Sequence, residues 1–197
     1  MIVALGINGF AGSGKDTLAD ALVENYGFTK IAFADPLREV LMEMNPLLMV
    51  ENGQPMRLCD LLTVHGWDDA KALYPEVRQA MVMLGQAMRN RVNTRIWINH
   101  ALNRIEGHDK VVFSDVRQLN EAQIIKDVLG AELIHISRPG VGPANSQEMQ
   151  ELPPAIFSWN IVNDKDVTAL RAKADILMSR ISWDRDPQWR KVPANTI

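Results

Sequence analysis

The sequence predicts an α/β protein in three layers, α/β/α, around a five-stranded parallel sheet. Three observations carry this. Short apolar, partly β-branched runs alternate with stretches of helical periodicity from the first residues onward. The first run, Ile2 to Ile7, passes directly into the glycine-rich turn Gly9-Phe10-Ala11-Gly12-Ser13-Gly14 and then a helix. The second run, Phe28 to Phe33, follows after a single helix, which makes a βαβ unit.

The first helix carries Leu18, Leu22 and Val23 at helical spacing, interleaved with Ala19 and Ala21. Asp35-Pro36 opens the next helix, with Asp35 as the expected N-cap and Pro36 at the first helical position. Its apolar residues are Leu37, Val40, Leu41 and Met44. Asn52-Gly53, between Leu47-Leu48-Met49-Val50 and Met56, suits a hairpin turn. Residues 58–106 read as helical, with breaks near Gly66, Pro75 and Asn93. Val77, Met81, Leu84 and Met88 form one stripe there, and Trp97, Ile98, Ala101, Leu102 and Ile105 the next. Val111-Val112-Phe113 is a buried strand. Asn120 is the expected cap of the helix after it, with Gln123 completing a capping box and Gly130 ending the helix. Leu133 to Ile136 and Asn160 to Asn163 supply the last two strands. Asp166 starts a final helix with Leu170, Ala174, Leu177 and Ile181, and an irregular polar tail is expected from Trp183.

The chain has 197 residues, 47% hydrophobic and 23% charged, with a formal net charge of −3. That length fills one domain with a small insert, and that charge speaks against a nucleic-acid or membrane-surface footprint. Cys59 is the single cysteine, so no intrachain disulfide or cysteine zinc cluster can form. With no basic leader and no apolar stretch near about 18 residues, a cytoplasmic setting is expected. No repeat or low-complexity tract appears. His65, His100, His108 and His135 share no metal-ligand spacing and read as structural or solvent-exposed.

Strand, glycine-rich turn and helix are the context of a phosphate-binding loop. The turn aims successive backbone N–H groups at an anion, and the helix adds the positive end of its dipole. Lys15 supplies a mobile charge for the β- and γ-phosphates of a nucleotide. Ser or Thr usually follows that lysine; here Asp16 does, and Thr17 comes next, so either could contribute an oxygen to magnesium. Asp115, ending a buried strand, suits the remainder of a magnesium site. Arg117 follows at the carboxyl edge of the sheet, where ligands bind in open α/β folds. Arg38, Arg78, Arg89, Arg117 and Arg138 together suggest a second anion site. Arg78 and Arg89 share a helix face about 16 Å apart along the axis, too far to hold one phosphate easily. Two phosphate sites imply phosphoryl transfer between bound molecules, by positioning and charge neutralisation.

These residues resemble the bacteriophage-type deoxynucleoside monophosphate kinases, a branch of the P-loop kinases. Ser13-Gly14-Lys15-Asp16-Thr17 with Ala19-Asp20 is similar to that family's SGKDT-x-AD, its unusual aspartate included. Phe33-Ala34-Asp35-Pro36-Leu37-Arg38 resembles the opening of its monophosphate-binding region. Arg78, Leu84-Gly85, Arg89 and Trp97 follow its R…LG…R…W order, and Asp115-Val116-Arg117 its D-x-R motif. His135 to Gly140 resembles the strand leading into its lid, and Ile161 to Asp164 the loop near its donor base. Gly85-Gln86 stands where Gly-Thr is common, and Arg138 is the main lid cation.

The resemblance implies transfer of the ATP γ-phosphoryl group to a dNMP, giving a dNDP for DNA precursor synthesis. ATP would be held by Gly12, Ser13, Gly14, Lys15, Asp16, Thr17 and Asn163, and the dNMP by Asp35, Arg38, Arg78, Arg89 and Arg117. Magnesium would sit at Asp16 or Thr17 with Asp115; Lys15, Asp115, Arg117 and Arg138 would be catalytic. It implies one kinase domain over 1–182: a core of 1–34, 108–138 and 158–182, an NMP-binding insert over 35–107, a lid over 139–157, and a tail over 183–197. A homodimer through the tail tryptophans and the insert is an option, and the location would be host cytoplasm if the chain is phage-encoded. Another small-molecule kinase, such as a dephospho-CoA kinase, would need a base near the loop, for which Asp35 is the early candidate. A nucleotide-dependent switch is the other alternative. Asn163-Asp164-Lys165-Asp166 has the residues of a guanine motif in the wrong order, and Asp127-x-x-Gly130 lies at a helix end.

Overall fold

A computed structural model describes residues 2–50, 53–143 and 152–185. Its elements run β1 (Val3–Asn8), α1 (Lys15–Tyr26), β2 (Thr29–Ile31), α2 (Asp35–Met44), β3 (Leu47–Val50), β4 (Gln54–Arg57) and α3 (Leu58–Leu73). There follow α4 (Pro75–Arg91), α5 (Ile96–Asn103), β5 (Lys110–Phe113), α6 (Leu119–Leu129), β6 (Glu132–Ser137), β7 (Trp159–Val162) and α7 (Val167–Arg185), with a 3-10 turn at Pro154–Ile156. The strands form the predicted five-stranded sheet in the order β2-β5-β1-β6-β7. β1 pairs in parallel with β5 and β6, and β6 with β7. Because β1 is central, its carboxyl end lies where the strand order reverses, the crevice in which open α/β sheets bind ligands.

The chain divides into two compact units, residues up to 30 with those from 108 onward, and residues 31–107. In the first unit, one face of the sheet packs Leu5, Ile7, Val112, Ile134 and Ile136 against Leu18 and Leu22 of α1 and Leu170, Ala174 and Leu177 of α7. Gly6 lets the sheet and α6 approach closely: a Cβ there would lie 2.6 Å from the Ile125 side chain and 2.7 Å from that of Leu133, so these would have to shift to admit it. In the second unit, Leu37, Leu41, Leu58, Leu61, Val77 and Trp97 share a core, with Met81, Leu84 and Met88 packed against it. The Trp97 indole N–H donates to the Gly85 carbonyl at 3.2 Å. The expected hairpin is present: β3 and β4 pair antiparallel, and the Gly53 N–H donates to the Val50 carbonyl at 3.0 Å.

Four local expectations are corrected. The strand expected from Phe28 to Phe33 pairs only over Thr29–Ile31, because the chain then turns, the Asp35 N–H donating to the Ala32 carbonyl at 3.2 Å. Asp35 is the first residue of α2 rather than its N-cap, which is Ala34. Asn120 lies inside α6, and the extended Gln118 is the N-cap; Glu121, not Gln123, closes it by accepting the Gln118 N–H at 2.9 Å. Finally, α7 continues to Arg185, past the point where an irregular tail was expected. Residues 144–151 of the expected lid and the tail from 186 lie outside the described residues.

Candidate active site

The loop between β1 and α1 takes its shape from two glycines. Gly9 has φ +152°, and a Cβ on it would lie 2.3 Å from the Ile136 carbonyl oxygen. Gly14 has φ +103°, and its Cβ would lie 2.6 Å from Leu170 and 2.7 Å from the Asn163 amide. A side chain at either position meets both backbone strain and a neighbour. α1 begins at Lys15, and the first N–H groups of a helix have no acceptor within it. They and the helix dipole make this end a site for an anion.

Lys15 is buried, and its ammonium donates to the Phe10 carbonyl at 2.7 Å, across the loop. Ser13 is 1% exposed, and its hydroxyl has no hydrogen-bond partner among the described residues. That hydroxyl lies inside the loop, 2.7 Å from where a Gly9 Cβ would be. Beside the loop lies a cavity of about 430 Å³ lined by Gly12, Gly14, Lys15, Asp16, Thr17, Arg138 and Asn163, with Lys165, Asp166, Val167 and Leu170 completing it. Seven residues predicted for nucleotide binding or catalysis therefore share one cavity.

Asn163, at the end of β7, is 6% exposed, and its side-chain N–H donates to the Ser13 carbonyl at 2.9 Å. Its own backbone N–H donates to the Ser137 carbonyl at 2.7 Å, so the β6 and β7 ends fix the outer turn of the loop. Asp16 carries an ion pair: its carboxylate lies 2.8 Å from the Lys30 ammonium, which also reaches Asp20 at 3.0 Å. Partial burial pulls the Lys30 ammonium down, but hydrogen bonds and charge from Asp16 and Asp20 outweigh it and hold its pKa above the usual lysine value.

Asp115 and Arg117 sit between β5 and α6 and are not in the wall of that cavity. The intervening Val116 is locked to β1: its N–H donates to the Ile7 carbonyl at 3.1 Å, and its carbonyl accepts from the Asn8 side chain at 2.8 Å. Asn8 also meets the His135 Nδ1 at 2.9 Å. Buried Glu121 accepts the Arg117 N–H at 2.8 Å. These bonds fix the backbone from which the Asp115 and Arg117 side chains leave.

In the second unit, Asp35 Oδ1 accepts from Arg38 at 3.1 Å, while its Oδ2 accepts the Ala32 N–H at 3.2 Å and lies 3.7 Å from Arg104. Arg38 lies over the Trp67 ring, 5.8 Å from its centroid, and its buried Nε has no partner among the described residues. Arg89 lies back along α4, 3.8 Å from where a Gly85 Cβ would be. Arg78 and Arg89 are half-buried on that helix. The histidines sit in structural contacts: His65 against Tyr74, His108 near the Thr29 hydroxyl, His135 against Phe157; His100 is exposed on α5.

Sequence reasoning missed Lys30, Arg104, Trp67, Glu121 and the Lys165–Leu170 wall. Glu121 carried only its spacing, three residues after Gln118, and Gln is not the Ser or Thr that marks a capping box in sequence. Lys30 and Arg104 carried none, since their partners are distant in sequence.

A phosphate loop at the switch point of a parallel sheet, with a lysine and an arginine in one cavity beside it, defines the P-loop kinase class of phosphotransferases. A dephospho-CoA kinase from Campylobacter jejuni has this fold at 13% identity and a TM-score of 0.50, over 94% of this chain and 100% of that one. A family model described as deoxynucleotide monophosphate kinase matches residues 68–174. A chain of Acanthamoeba polyphaga mimivirus assigned as a deoxynucleotide monophosphate kinase is 30% identical over 177 residues, 84% of this chain and 91% of its own length. This chain belongs to the deoxynucleotide monophosphate kinase family.

Proposed function

We propose that the protein transfers the γ-phosphoryl group of ATP to a deoxynucleoside monophosphate, with the donor in the loop cavity. The observation that carries this is the convergence of Gly12, Gly14, Lys15, Thr17 and Arg138 on one cavity at the N-terminus of α1. Lys15 and the loop amides bind the donor phosphates. Arg138 neutralises charge on the transferred group, which needs positioning and countercharge more than covalent help. The acceptor is itself a phosphate and already ionised near neutral pH, so no catalytic base is required. Asp35 is engaged by Ala32, Arg38 and Arg104, which suits a clamp on Arg38 and not a free base, and so disfavours a hydroxyl acceptor.

Arg38, Arg78, Arg89 and Arg117 are assigned to acceptor binding, Arg78 and Arg89 lying too far apart along α4 to share one phosphate. The domain roles follow: 35–107 for the monophosphate and 139–157 for the lid, on the core that carries the loop. Magnesium, which keeps several waters and shares phosphate oxygens, needs only one or two protein oxygens. The Thr17 hydroxyl and Asp115 are the groups that would hold it, and it would neutralise phosphate charge. No helix among the described residues is long and apolar enough to cross a membrane, in keeping with a cytoplasmic supplier of DNA precursors that acts on small molecules.

The test is ADP formation from ATP with each common ribo- and deoxyribonucleoside monophosphate. Turnover on at least one deoxynucleotide is expected, and Lys15→Ala should lower kcat by about 10²- to 10³-fold. ADP formation equal with and without acceptor would contradict the proposal.

A further inference from the structure

Asp16 occupies the place in the loop where a neutral hydroxyl residue is usual, and a carboxylate there is costly for a site that must hold a triphosphate. It stands directly after Lys15 in the first turn of α1, and Asp20 lies one turn on. The Asp16 charge lies in the first turn, at the helix end whose dipole attracts the phosphates, so it competes with the nucleotide for that end, and Asp20 adds negative charge one turn further on. Neither is left uncompensated. Lys30, on β2, reaches Asp16 at 2.8 Å and Asp20 at 3.0 Å. Its side chain is 31% exposed, against 76% for Asp16, so the ammonium is the better shielded partner and the carboxylate comes to it.

We propose that Lys30 is a positioning residue of the nucleotide site: by pairing with Asp16 it holds that carboxylate off the phosphates and cancels its charge, leaving Thr17 as the loop's metal-facing oxygen. The inference rests on the donor-site reading above. It explains how a loop with aspartate at this position keeps a positive field, and it separates Asp16 from metal binding. Lys30 touches no substrate in this scheme. It acts through Asp16, so its effect is electrostatic and must weaken with salt.

The experiment measures ATP binding by calorimetry, with and without magnesium, at low and high ionic strength. Lys30→Met should raise the Kd for ATP about two- to fivefold at low salt, the scale set by one exposed charge pair, and less at high salt. Lys30→Arg should bind as the wild type does. Asp16→Asn should bind ATP at least as tightly as the wild type and keep the magnesium enhancement, and should restore affinity in the Lys30→Met background. If Lys30→Met does not fold, as judged by its melting curve, Asp16→Asn and Lys30→Arg decide the matter alone. Loss of the magnesium enhancement in Asp16→Asn would make Asp16 a metal ligand and overturn the proposal. So would an unchanged Kd in a folded Lys30→Met protein when the wild type binds ATP. A wild-type protein that binds no ATP would overturn the donor reading, and this one with it.

Discussion

Replacing Asn163 by alanine separates two roles for this residue. The resemblance implies a place near the donor base, whereas the structure has its side chain donate to the Ser13 carbonyl at 2.9 Å. Both residues are buried, at 6% and 1% exposure, so water does not replace the lost donor easily. Leaving a buried carbonyl unmatched costs about 1–3 kcal/mol. For a chain of this length each kcal/mol lowers Tm by about 2–4 °C, so a fall of roughly 4–8 °C is expected for a loss of about 2 kcal/mol. The loop then loses its tie to β7, and the phosphates should bind about fivefold more weakly if half of that energy is lost to the bound state, about 1.4 kcal/mol being a factor of ten. Thermal unfolding with calorimetric titration of ATP, and of inorganic tripolyphosphate, reads both effects. An anchoring Asn163 predicts equal loss for the two ligands, because tripolyphosphate has no base. An unchanged Tm, with affinity lost for ATP alone, would refute the anchoring argument and make Asn163 a base contact.

The remaining predictions test other parts of the site. Gly14→Ala adds a Cβ 2.6 Å from Leu170 and 2.7 Å from Asn163 at φ +103°, so it should cost about 1–3 kcal/mol in denaturant unfolding and remove measurable ATP binding. Arg117→Ala should lower kcat far more than it raises the Kd for ATP; equal losses in steady-state and binding assays would contradict a role with the acceptor. Burial first, then the hydrogen bond and charge of Asp175 at 2.7 Å, pushes the Tyr26 hydroxyl up to about 12. Because the folded state favours the protonated phenol, this contribution to stability is full below about pH 10 and is lost as pH rises toward 12. Ultraviolet titration in a Tyr74→Phe background should follow Tyr26 alone, and Asp175→Asn should move its ionisation toward lower pH.

What could be read in the sequence was local. Gly9 to Thr17 defines a phosphate loop because glycine backbone freedom, the helix dipole and the adjacent lysine act within nine residues. The strands at Val3–Asn8, Lys110–Phe113 and Glu132–Ser137 showed as apolar runs because both faces of a central parallel strand are buried. The β3–β4 hairpin was legible from its turn, and the final helix from Leu170, Ala174, Leu177 and Ile181. Helix starts were less so: several polar residues near 118–121 could have capped α6, and the backbone conformation of Gln118 chose among them.

Tertiary structure decided which polar groups meet. Asn163 reaches Ser13 across 150 positions because β7 lies beyond β6 on the side of the loop, and Lys30 meets Asp16 because β2 returns alongside the start of α1. Arg104 similarly meets Asp35 only once α5 has packed on α2. Apolar periodicity marks a residue as buried because water is a partner common to all; a hydrogen bond or ion pair needs one particular partner, and the order in which the strands assemble supplies it.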